Sequence, residues 1–186
     1  MKIGILGGSF DPVHNGHIEL AEKSLKQLKL DFLFFVPAFS VPHKSRRLSA
    51  AFHRKKMLQL AVKNNPKFLI SDFELKLKKR TYTYQTLRYF RKTYPASQLY
   101  LVLGSDSVLD LKKWENYKEL LKKSKIVFAE RKNYRALNKK NNIMLDGKIA
   151  DISSSVIRRR IKKGLPLKGL TPRPVENYIK KNGLYK

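Results

Sequence analysis

Short apolar runs alternate with amphipathic stretches along most of the chain. The apolar runs predict five strands, and the stretches between them repeat their apolar positions every three or four residues, as helices do. The predicted strands run from Ile3 to Leu6, Phe32 to Val36, Phe68 to Ser71, Leu99 to Leu103 and Lys125 to Ala129. The first predicted helix carries Ile18, Ala21, Leu25 and Leu28 on one face. Three further helices are predicted from about Ser49 to Lys63, from Thr83 to Thr93 and from Val108 to Leu121. The alternation predicts an α/β fold with a Rossmann-like, doubly wound parallel sheet.

The C-terminal part has a different pattern. Residues 130–148 are polar and predicted to be irregular, and a serine triplet then precedes a helix that continues to Lys163 and stops at Gly164. Pro172 opens a last helix, which Gly183 ends. We expect residues 1–186 to form a single domain, in which the helical segment 153–186 is an appendage that closes over the sheet.

The strand order locates the expected binding site. Ligands of doubly wound sheets bind beyond the carboxyl ends of the strands, where the strand order reverses. For the order 3-2-1-4-5, the first and fourth strands are neighbours at that point. They lead into Gly7-Gly8 and Gly104-Ser105-Asp106. We therefore expect both glycine segments to face one crevice.

The charge of the chain favours phosphate-bearing partners. There are 41 Lys and Arg against 14 Asp and Glu, which gives a formal net charge of +27. This excess attracts nucleotides, nucleic acids and acidic membranes alike. The basic residues are dispersed, however, as on a solvated surface. No apolar stretch is long enough to span a bilayer, and the absence of cysteine suits a reducing compartment, so we expect a soluble, cytoplasmic protein.

The segment from Gly7 to His17 lies between the first strand and the first helix. Glycines allow the backbone to approach a phosphate closely, and the free amides of a helix N-terminus favour anions. His14 and His17 are three residues apart, so both can donate hydrogen bonds to the same polyphosphate. The alternatives are a tight turn for the glycines and a surface or metal-binding pair for the histidines. Zinc is disfavoured because the chain has no cysteine and no second histidine cluster.

A second segment of the same kind runs from Ile152 to Arg158. It places serine hydroxyls and backbone amides at a helix start, with a guanidinium one turn further on. Its plain alternative is an ordinary serine cap. Two such helix starts in one short chain favour a bound polyphosphate.

Together these segments resemble the signature of the nucleotidyltransferase superfamily. His14-Asn15-Gly16-His17 corresponds to its His-x-Gly-His motif, and Ile152 to Arg158 to its Ile-Ser-Ser-Thr/Ser-x-Ile-Arg motif. Further segments resemble the nicotinate-nucleotide adenylyltransferase family of bacteria: Pro42-His43-Lys44, Phe52-His53-Arg54, Thr81-Tyr82-Thr83, Gly104-Ser105-Asp106, Trp114 and the ending from Tyr178-Ile179 to Gly183-Leu184-Tyr185. Ser155 replaces the common threonine and keeps the hydroxyl. Glu130 to Asn133 lacks the usual Arg-Pro-Gly, so we assign Arg131 no role.

The resemblance implies an enzyme that transfers AMP from ATP to nicotinic acid mononucleotide, with Mg²⁺ carried by the ATP phosphates. It implies an ATP site made of Gly7, Gly8, Ser9, Phe10, His14, His17, Gly104, Asp106, Ile152, Ser153, Ser154 and Arg158. It implies an acceptor site made of Lys44, Tyr82, Thr83 and Trp114, and a catalytic set of His14, His17, Lys44 and Arg158. Each of these residues has a structural alternative: Lys44 as loop charge, Thr83 and Asp106 as helix caps, Trp114 as a core anchor. His53 is expected to be structural.

Two other functions remain open at this point. Another enzyme of the superfamily, acting on nicotinamide mononucleotide or phosphopantetheine, would use the same phosphate-binding residues. A basic nucleic-acid-binding protein would explain the charge, but it leaves both motifs unexplained, and no known nucleic-acid-binding motif is visible. The sequence leaves the oligomeric state open.

Overall fold

A six-stranded parallel sheet with the order β3-β2-β1-β4-β5-β6 forms the centre of the computed structural model, which describes residues 1–40, 48–104, 107, 110–129 and 142–186. The strands are β1 (Lys2–Gly8), β2 (Phe32–Pro37), β3 (Phe68–Ile70), β4 (Gln98–Leu103), β5 (Lys125–Ala129) and β6 (Asn142–Leu145). This is the Rossmann-like, doubly wound topology that the sequence predicts, with the predicted order 3-2-1-4-5 extended by one strand. The first and fourth strands are neighbours, as expected.

Helices cover both faces of this sheet. They are α1 (Asn15–Leu28), α2 (Ala51–Val62), α3 (Phe73–Leu77), α4 (Thr83–Thr93), α5 (Tyr117–Lys123), α6 (Ser154–Lys162) and α7 (Arg173–Lys181), with a 3₁₀ turn at Leu111–Lys113. The bounds predicted for α4 are confirmed, and the helical C-terminal segment is present as α6 and α7. Within the described ranges, no helix has both the length and the apolar character needed to cross a membrane.

Alternating side chains of the strands divide the core into two layers. Ile3 and Ile5 of β1 point to the face covered by α4 and α5, whereas Leu6 points to the face covered by α1, α2 and α7. The apolar face predicted for the first helix packs into the second of these layers. The ends of β1 and β4 therefore have α1 on one side and α4 on the other.

The prediction that residues 130–148 are irregular is wrong for Asn142–Leu145. These four residues form β6, which pairs in parallel with β5 and places Ile143 opposite Val127. Only Leu145 is fully buried, and Met144 is 54% exposed. A strand this short and this exposed has almost no apolar pattern in its sequence. Residues 142–145 are a strand because they pair with β5.

The first strand is longer than the predicted range from Ile3 to Leu6, and the glycines after that range do not form a tight turn. Gly7 and Gly8 belong to β1 and pair with Val36 and Pro37 of β2. The chain turns at Phe10, whose φ is 47°. A Cβ on Gly8 would come within 3.0 Å of the Phe10 ring, so Gly8 makes room for that ring to fold back over the strand.

The helix predicted from Val108 to Leu121 is not continuous. Over the described part of that range the chain forms the 3₁₀ turn Leu111–Lys113 and then α5. Asn116, with φ of 52°, adopts a left-handed conformation that a continuous helix does not tolerate. The short α3 was not predicted, because five residues are too few to establish a helical period.

Candidate active site

The connection from β1 to α1 is buried although it is a loop. Asp11 and Val13 are completely buried, and a cis peptide bond joins Asp11 to Pro12. His14 then caps α1 in an extended conformation, with φ of −139°. We call residues 8–17 the phosphate loop, because they carry the first motif that the sequence predicts for ATP.

His14 and His17 lie face to face at the start of α1. Their ring centroids are 3.5 Å apart, with 23° between the planes, and the edge of Phe10 packs against the His17 ring. The backbone N–H of His14 donates to Nδ1 of His17 over 3.2 Å. Because Nδ1 accepts this bond, the hydrogen of the neutral imidazole is carried by Nε2. Nε2 of His17 is therefore an N–H donor, and the His14 ring that stacks on His17 is only 4% exposed.

Gly16, between the two histidines, permits a close approach of the chain that precedes α6. A Cβ at this position would lie 3.0 Å from the carbonyl oxygen of Ala150. Ala150 is fixed there because its N–H donates to the Glu19 carboxylate over 2.8 Å. The glycine of the His-x-Gly-His motif thus serves the packing of the C-terminal segment on α1.

Side chains of the C-terminal segment bind the carbonyl groups of the phosphate loop one after another. Nη1 of Arg158 donates to the carbonyl of Asp11 over 2.6 Å. The hydroxyl of Ser154 donates to the carbonyl of Pro12 over 2.8 Å, and that of Thr171 to the carbonyl of Val13 over 2.8 Å. The two motifs that lie far apart in the sequence are therefore in direct contact.

The start of α6 has the geometry of a capped helix. Ser153 is its N-cap and accepts a hydrogen bond from the N–H of Val156 over 3.3 Å, while Ile152 is buried in a small apolar cluster. The plain alternative, a serine cap, therefore describes Ser153. A groove of about 450 Å³ opens on α6, lined by Ser155, Arg158, Arg159, Lys162 and Tyr185. The three cations favour phosphate, although Arg159 and Lys162 lie in the last turn of α6 and not at its N-terminus.

The ends of β1 and β4 leave open space for a ligand. A Cβ added to Gly7 or Gly104 would meet nothing within 4 Å. The backbone carbonyl of Ser9, between Gly8 and Phe10, accepts a hydrogen bond from Nη1 of Arg54 over 2.9 Å. Lys44 and Asp106, which the resemblance assigns to the acceptor and to ATP, lie outside the described residues.

The predicted acceptor residues lie on the opposite face of the sheet. Tyr82 is the N-cap of α4, and Thr83 is its first residue. The backbone N–H of Tyr82 donates to Oε1 of Gln85 over 2.9 Å, and the Arg80 guanidinium lies 5.2 Å from the centre of the Tyr82 ring. Since α4 runs antiparallel to the strand that follows it, this helix start points to the same carboxyl edge as the phosphate loop.

Trp114 follows the 3₁₀ turn after β4 and packs, half-buried, against the apolar layer beneath α4. This contact is the one expected of a core anchor, although the exposed part of the ring stays available to a ligand. An ion pair of 2.6 Å between Arg88 and Glu119 joins α4 to α5. The residues of the phosphate loop and α6 that the resemblance assigns to ATP thus lie on the α1 side of the crevice. Tyr82, Thr83 and Trp114, which it assigns to the acceptor, lie on the α4 side.

Three residues in or around the phosphate loop were not assigned a role from the sequence. They are Asp11, Arg54 and Tyr185. Arg54 is a cation that is only 1% exposed, and Tyr185 donates to Asp11 over 2.8 Å. Arg54 could have been noticed, because it precedes the buried Met57 and Leu58 by three and four residues and so lies on the buried face of its helix. His53 makes a 2.8 Å hydrogen bond with the Tyr178 hydroxyl, which is a contact typical of a structural residue.

A buried carboxyl group lies beneath α4. Glu74 is 8% exposed and accepts a hydrogen bond from the Thr86 hydroxyl over 2.7 Å. Burial raises the pKa of Glu74 to about 7, although the Thr86 hydrogen bond and the charge of Arg54 act in the opposite direction. Within the described ranges, no group of three or more His, Cys, Asp or Glu could hold a metal ion.

Comparison with known proteins agrees with this geometry. Residues 5–160 match a family model described as cytidylyltransferase-like. The chain is 40% identical to the probable nicotinate-nucleotide adenylyltransferase of Clostridium tetani, over 100% of this chain and 99% of that protein. It is also 40% identical to the protein of the same name from Clostridium acetobutylicum, over 99% of this chain and 98% of that one.

Among solved structures, the fold is similar to that of Plasmodium falciparum nicotinic acid mononucleotide adenylyltransferase complexed with NaAD. The TM-score is 0.86 at 24% identity, and the superposition covers 99% of this chain and 97% of that one. At this identity the likeness concerns the fold.

Proposed function

The chain belongs to the cytidylyltransferase-like family, and we propose that it transfers the AMP moiety of ATP to nicotinic acid mononucleotide, giving deamido-NAD and pyrophosphate. One observation carries the proposal. The helix start that bears His14 and His17 and the helix start that bears Arg158 meet on the same loop, joined by hydrogen bonds from Ser154 and Arg158. The full-length similarity to nicotinate-nucleotide adenylyltransferases supports nicotinic acid mononucleotide as the acceptor.

The acceptor's own phosphate is the nucleophile. Its second pKa is about 6, so it is largely ionised at neutral pH and needs no protein base. One of its oxygens forms a bond to the α-phosphorus of ATP while the bond from that phosphorus to the bridging oxygen of pyrophosphate breaks. Catalysis then consists of holding the two oxygens in line and stabilising the charge on the transferring group.

The described residues fit this task. The Nε2–H of His17 is a hydrogen-bond donor, and Arg158, Arg159 and Lys162 supply positive charge along α6. His14 keeps the His17 ring in position by stacking and through its backbone N–H. Lys44 and Asp106 stay as expectations from the family resemblance.

Magnesium is proposed to arrive with ATP. A divalent ion held by the phosphates suits the described residues, since none of their carboxylate or histidine side chains forms a metal cluster. The ion would neutralise negative charge on the polyphosphate. Because ATP is the substrate and the chain has no cysteine, we propose the cytoplasm as the place of the reaction.

The acceptor is tested by measuring pyrophosphate release with ATP and a panel of phosphorylated acceptors. We expect nicotinic acid mononucleotide to give the highest kcat/KM, ahead of nicotinamide mononucleotide and phosphopantetheine. Equal use of the amide, or faster use of phosphopantetheine, would overturn the assignment of the acceptor.

The nucleic-acid alternative is tested in the same assay. If the charge of +27 only solvates the surface, duplex DNA should not inhibit the enzyme at physiological ionic strength, and its binding should weaken steeply with salt. Tight, sequence-selective DNA binding at that salt would support a second function.

A further inference from the structure

The penultimate residue of the chain reaches the centre of the phosphate loop. The Tyr185 hydroxyl donates to Oδ1 of Asp11 over 2.8 Å and lies 4.0 Å from the sulfur of Met57. Asp11 is completely buried at the turn between Phe10 and Pro12. The end of the chain is thus joined to a residue three positions before His14.

The hydrogen bond has a fixed direction. Burial and the neighbouring Asp11 carboxylate raise the pKa of Tyr185, so the hydroxyl keeps its proton and donates at every working pH. The other carboxylate oxygen of Asp11 faces the backbone N–H of Ser49 at 3.4 Å. A buried carboxylate needs such donors, since an uncompensated charge in the interior is costly.

Asp11 connects this bond to the catalytic groups. Its carbonyl oxygen accepts the 2.6 Å hydrogen bond from Arg158, so Tyr185 and Arg158 hold the same residue through different atoms. Pro12 and Val13 are held by Ser154 and Thr171, and His14 follows directly. A change in the orientation of Asp11 would therefore shift the Arg158 guanidinium and the start of α1 together.

We propose that Tyr185 is a positioning residue for adenylyl transfer, which acts through Asp11 to fix the phosphate loop in its ATP-binding geometry. This inference rests on the proposed function, because it assigns ATP to that loop. It gives the C-terminal Tyr185 a role in the ATP half of the reaction. The acceptor half, on the other face of the sheet, should not depend on Tyr185.

The chain offers a matched control in Tyr178. Its hydroxyl also belongs to the C-terminal segment and also makes a 2.8 Å hydrogen bond, but its partner is Nδ1 of His53 on α2. Tyr178→Phe and Tyr185→Phe each remove one oxygen atom and keep the ring. Tyr185→Phe removes a hydrogen bond to the phosphate loop, whereas Tyr178→Phe removes a hydrogen bond to α2.

The experiment compares both variants with wild type by pyrophosphate release, and by calorimetric binding of a non-hydrolysable ATP analogue. For Tyr185→Phe we expect kcat/KM for ATP to fall about tenfold to a hundredfold, and the analogue to bind more weakly, as suits the loss of a bond to a buried charged group. The KM for the acceptor should stay within about twofold. Tyr178→Phe should resemble wild type in all three quantities.

Asp11→Ala provides a second test, because it removes the carboxylate that accepts the hydrogen bond from Tyr185. If Tyr185 acts through Asp11, the double variant should lose less than the product of the two single losses. Three results would overturn the proposal. The losses of the two single variants multiply in the double variant, Tyr185→Phe behaves as wild type, or Tyr185→Phe changes the kinetic parameters for ATP and for the acceptor equally. A wild-type enzyme without adenylyl transfer would instead contradict the proposed function.

If Tyr185→Phe does not fold, Asp11→Ala takes its place, because it removes the acceptor of the same hydrogen bond. A loss confined to the ATP parameters supports the positioning role, and unchanged ATP parameters overturn it.

Discussion

The two flanks of the crevice are supported in different ways. On the ATP side, the phosphate loop is held by side chains that lie 142 and 174 positions away in the sequence, those of Ser154 and Tyr185. On the acceptor side, α4 is held by nearer residues. Thr86 bonds to Glu74, 12 positions away, and Arg88 pairs with Glu119, 31 positions away.

This difference predicts which side of the crevice forms first during folding. Closing a long loop costs more conformational entropy than closing a short one, so the phosphate loop gains its hydrogen bonds only when the C-terminal segment has docked. The start of α4 can form with its immediate neighbours. Changes in the C-terminal segment should therefore disturb ATP, whereas changes around α4 should disturb the acceptor.

The largest effect is expected at the centre of the ATP side. His17→Ala removes the Nε2–H donor, and a donor aimed at developing charge acts mainly in the transition state. We expect kcat to fall about a hundredfold to a thousandfold, with a much smaller change in ATP binding. Steady-state kinetics with ATP as the varied substrate measure both quantities.

His53→Ala is the control for this variant, since His53 bonds to Tyr178 on α7 and not to the phosphate loop. If His17→Ala changed only the KM for ATP, His17 would be a binding residue. In that case the proposed catalytic role of His17 would be wrong.

The acceptor side contains a group that should make stability depend on pH. The pKa of Glu74 is about 7 in the folded chain and 4.5 in the unfolded chain, so between these two values the folded state binds more protons than the unfolded state. Stability should therefore fall as pH rises from 4.5 to 7, by up to about 3 kcal/mol. Tyr185 contributes nothing in this window, because its pKa is raised from 10.

Glu74→Gln keeps an oxygen that can accept from Thr86 but cannot ionise. The variant should lose this slope and be more stable than wild type at pH 8. Denaturant unfolding at pH 5 and pH 8 measures the effect, with the exposed Glu22→Gln as control. An unchanged slope in Glu74→Gln would mean that another group causes the pH dependence.

The sequence predicts the fold well wherever an element has a regular apolar period. Five of the six described strands, their order and the bounds of α4 follow from such patterns. The misses share a physical cause. β6 is a short edge strand defined by its partner, and Asn116 interrupts a helical pattern through a backbone conformation that the pattern does not reveal.

The site is less predictable than the fold. The motifs around His17 and Arg158 can be recognised, and doubly wound topology predicts that they share an edge. What the motif side chains do cannot be read from spacing. The hydroxyl of Ser154 donates to a carbonyl group, and Gly16 makes room for Ala150. The contact between Tyr185 and Asp11 joins opposite ends of the chain, so no local pattern indicates it.

A smaller effect is expected for Thr83→Val, at the start of α4. The nicotinate carboxylate needs donors, and a helix N-terminus with a hydroxyl supplies them together with a favourable dipole. An amide there would leave polar groups mispaired, at about 1 to 3 kcal/mol. Wild type should therefore prefer the acid about tenfold to a hundredfold. Thr83→Val should narrow this ratio without changing the KM for ATP.

Thr93→Val is its matched control. Thr93 ends the same helix and donates its hydroxyl to the carbonyl of Tyr89 over 2.9 Å, at the opposite edge of the sheet. The ratio of kcat/KM for the two mononucleotides should stay at the wild-type value in this variant. Equal narrowing in both variants would show that α4 stability, and not the Thr83 hydroxyl, sets the preference.

The smallest effect is expected for Trp114→Ala. The pyridinium ring of the acceptor is flat and cationic, so the exposed part of an indole face is a favourable partner, worth roughly 0.5 to 2 kcal/mol. The KM for both mononucleotides should rise between about twofold and thirtyfold, while that for ATP stays unchanged.

Because Trp114 also packs against the apolar layer beneath α4, its removal should cost stability as well, and this must be separated from binding. Tyr94→Ala supplies the comparison, since Tyr94 packs against the same layer at the C-terminal end of α4. If Tyr94→Ala lowers the melting temperature but leaves every KM in place, a rise in acceptor KM for Trp114→Ala reports contact with the ligand. If both variants raise the acceptor KM equally, Trp114 is a core anchor, and the acceptor side of the crevice is bounded by Tyr82 and Thr83.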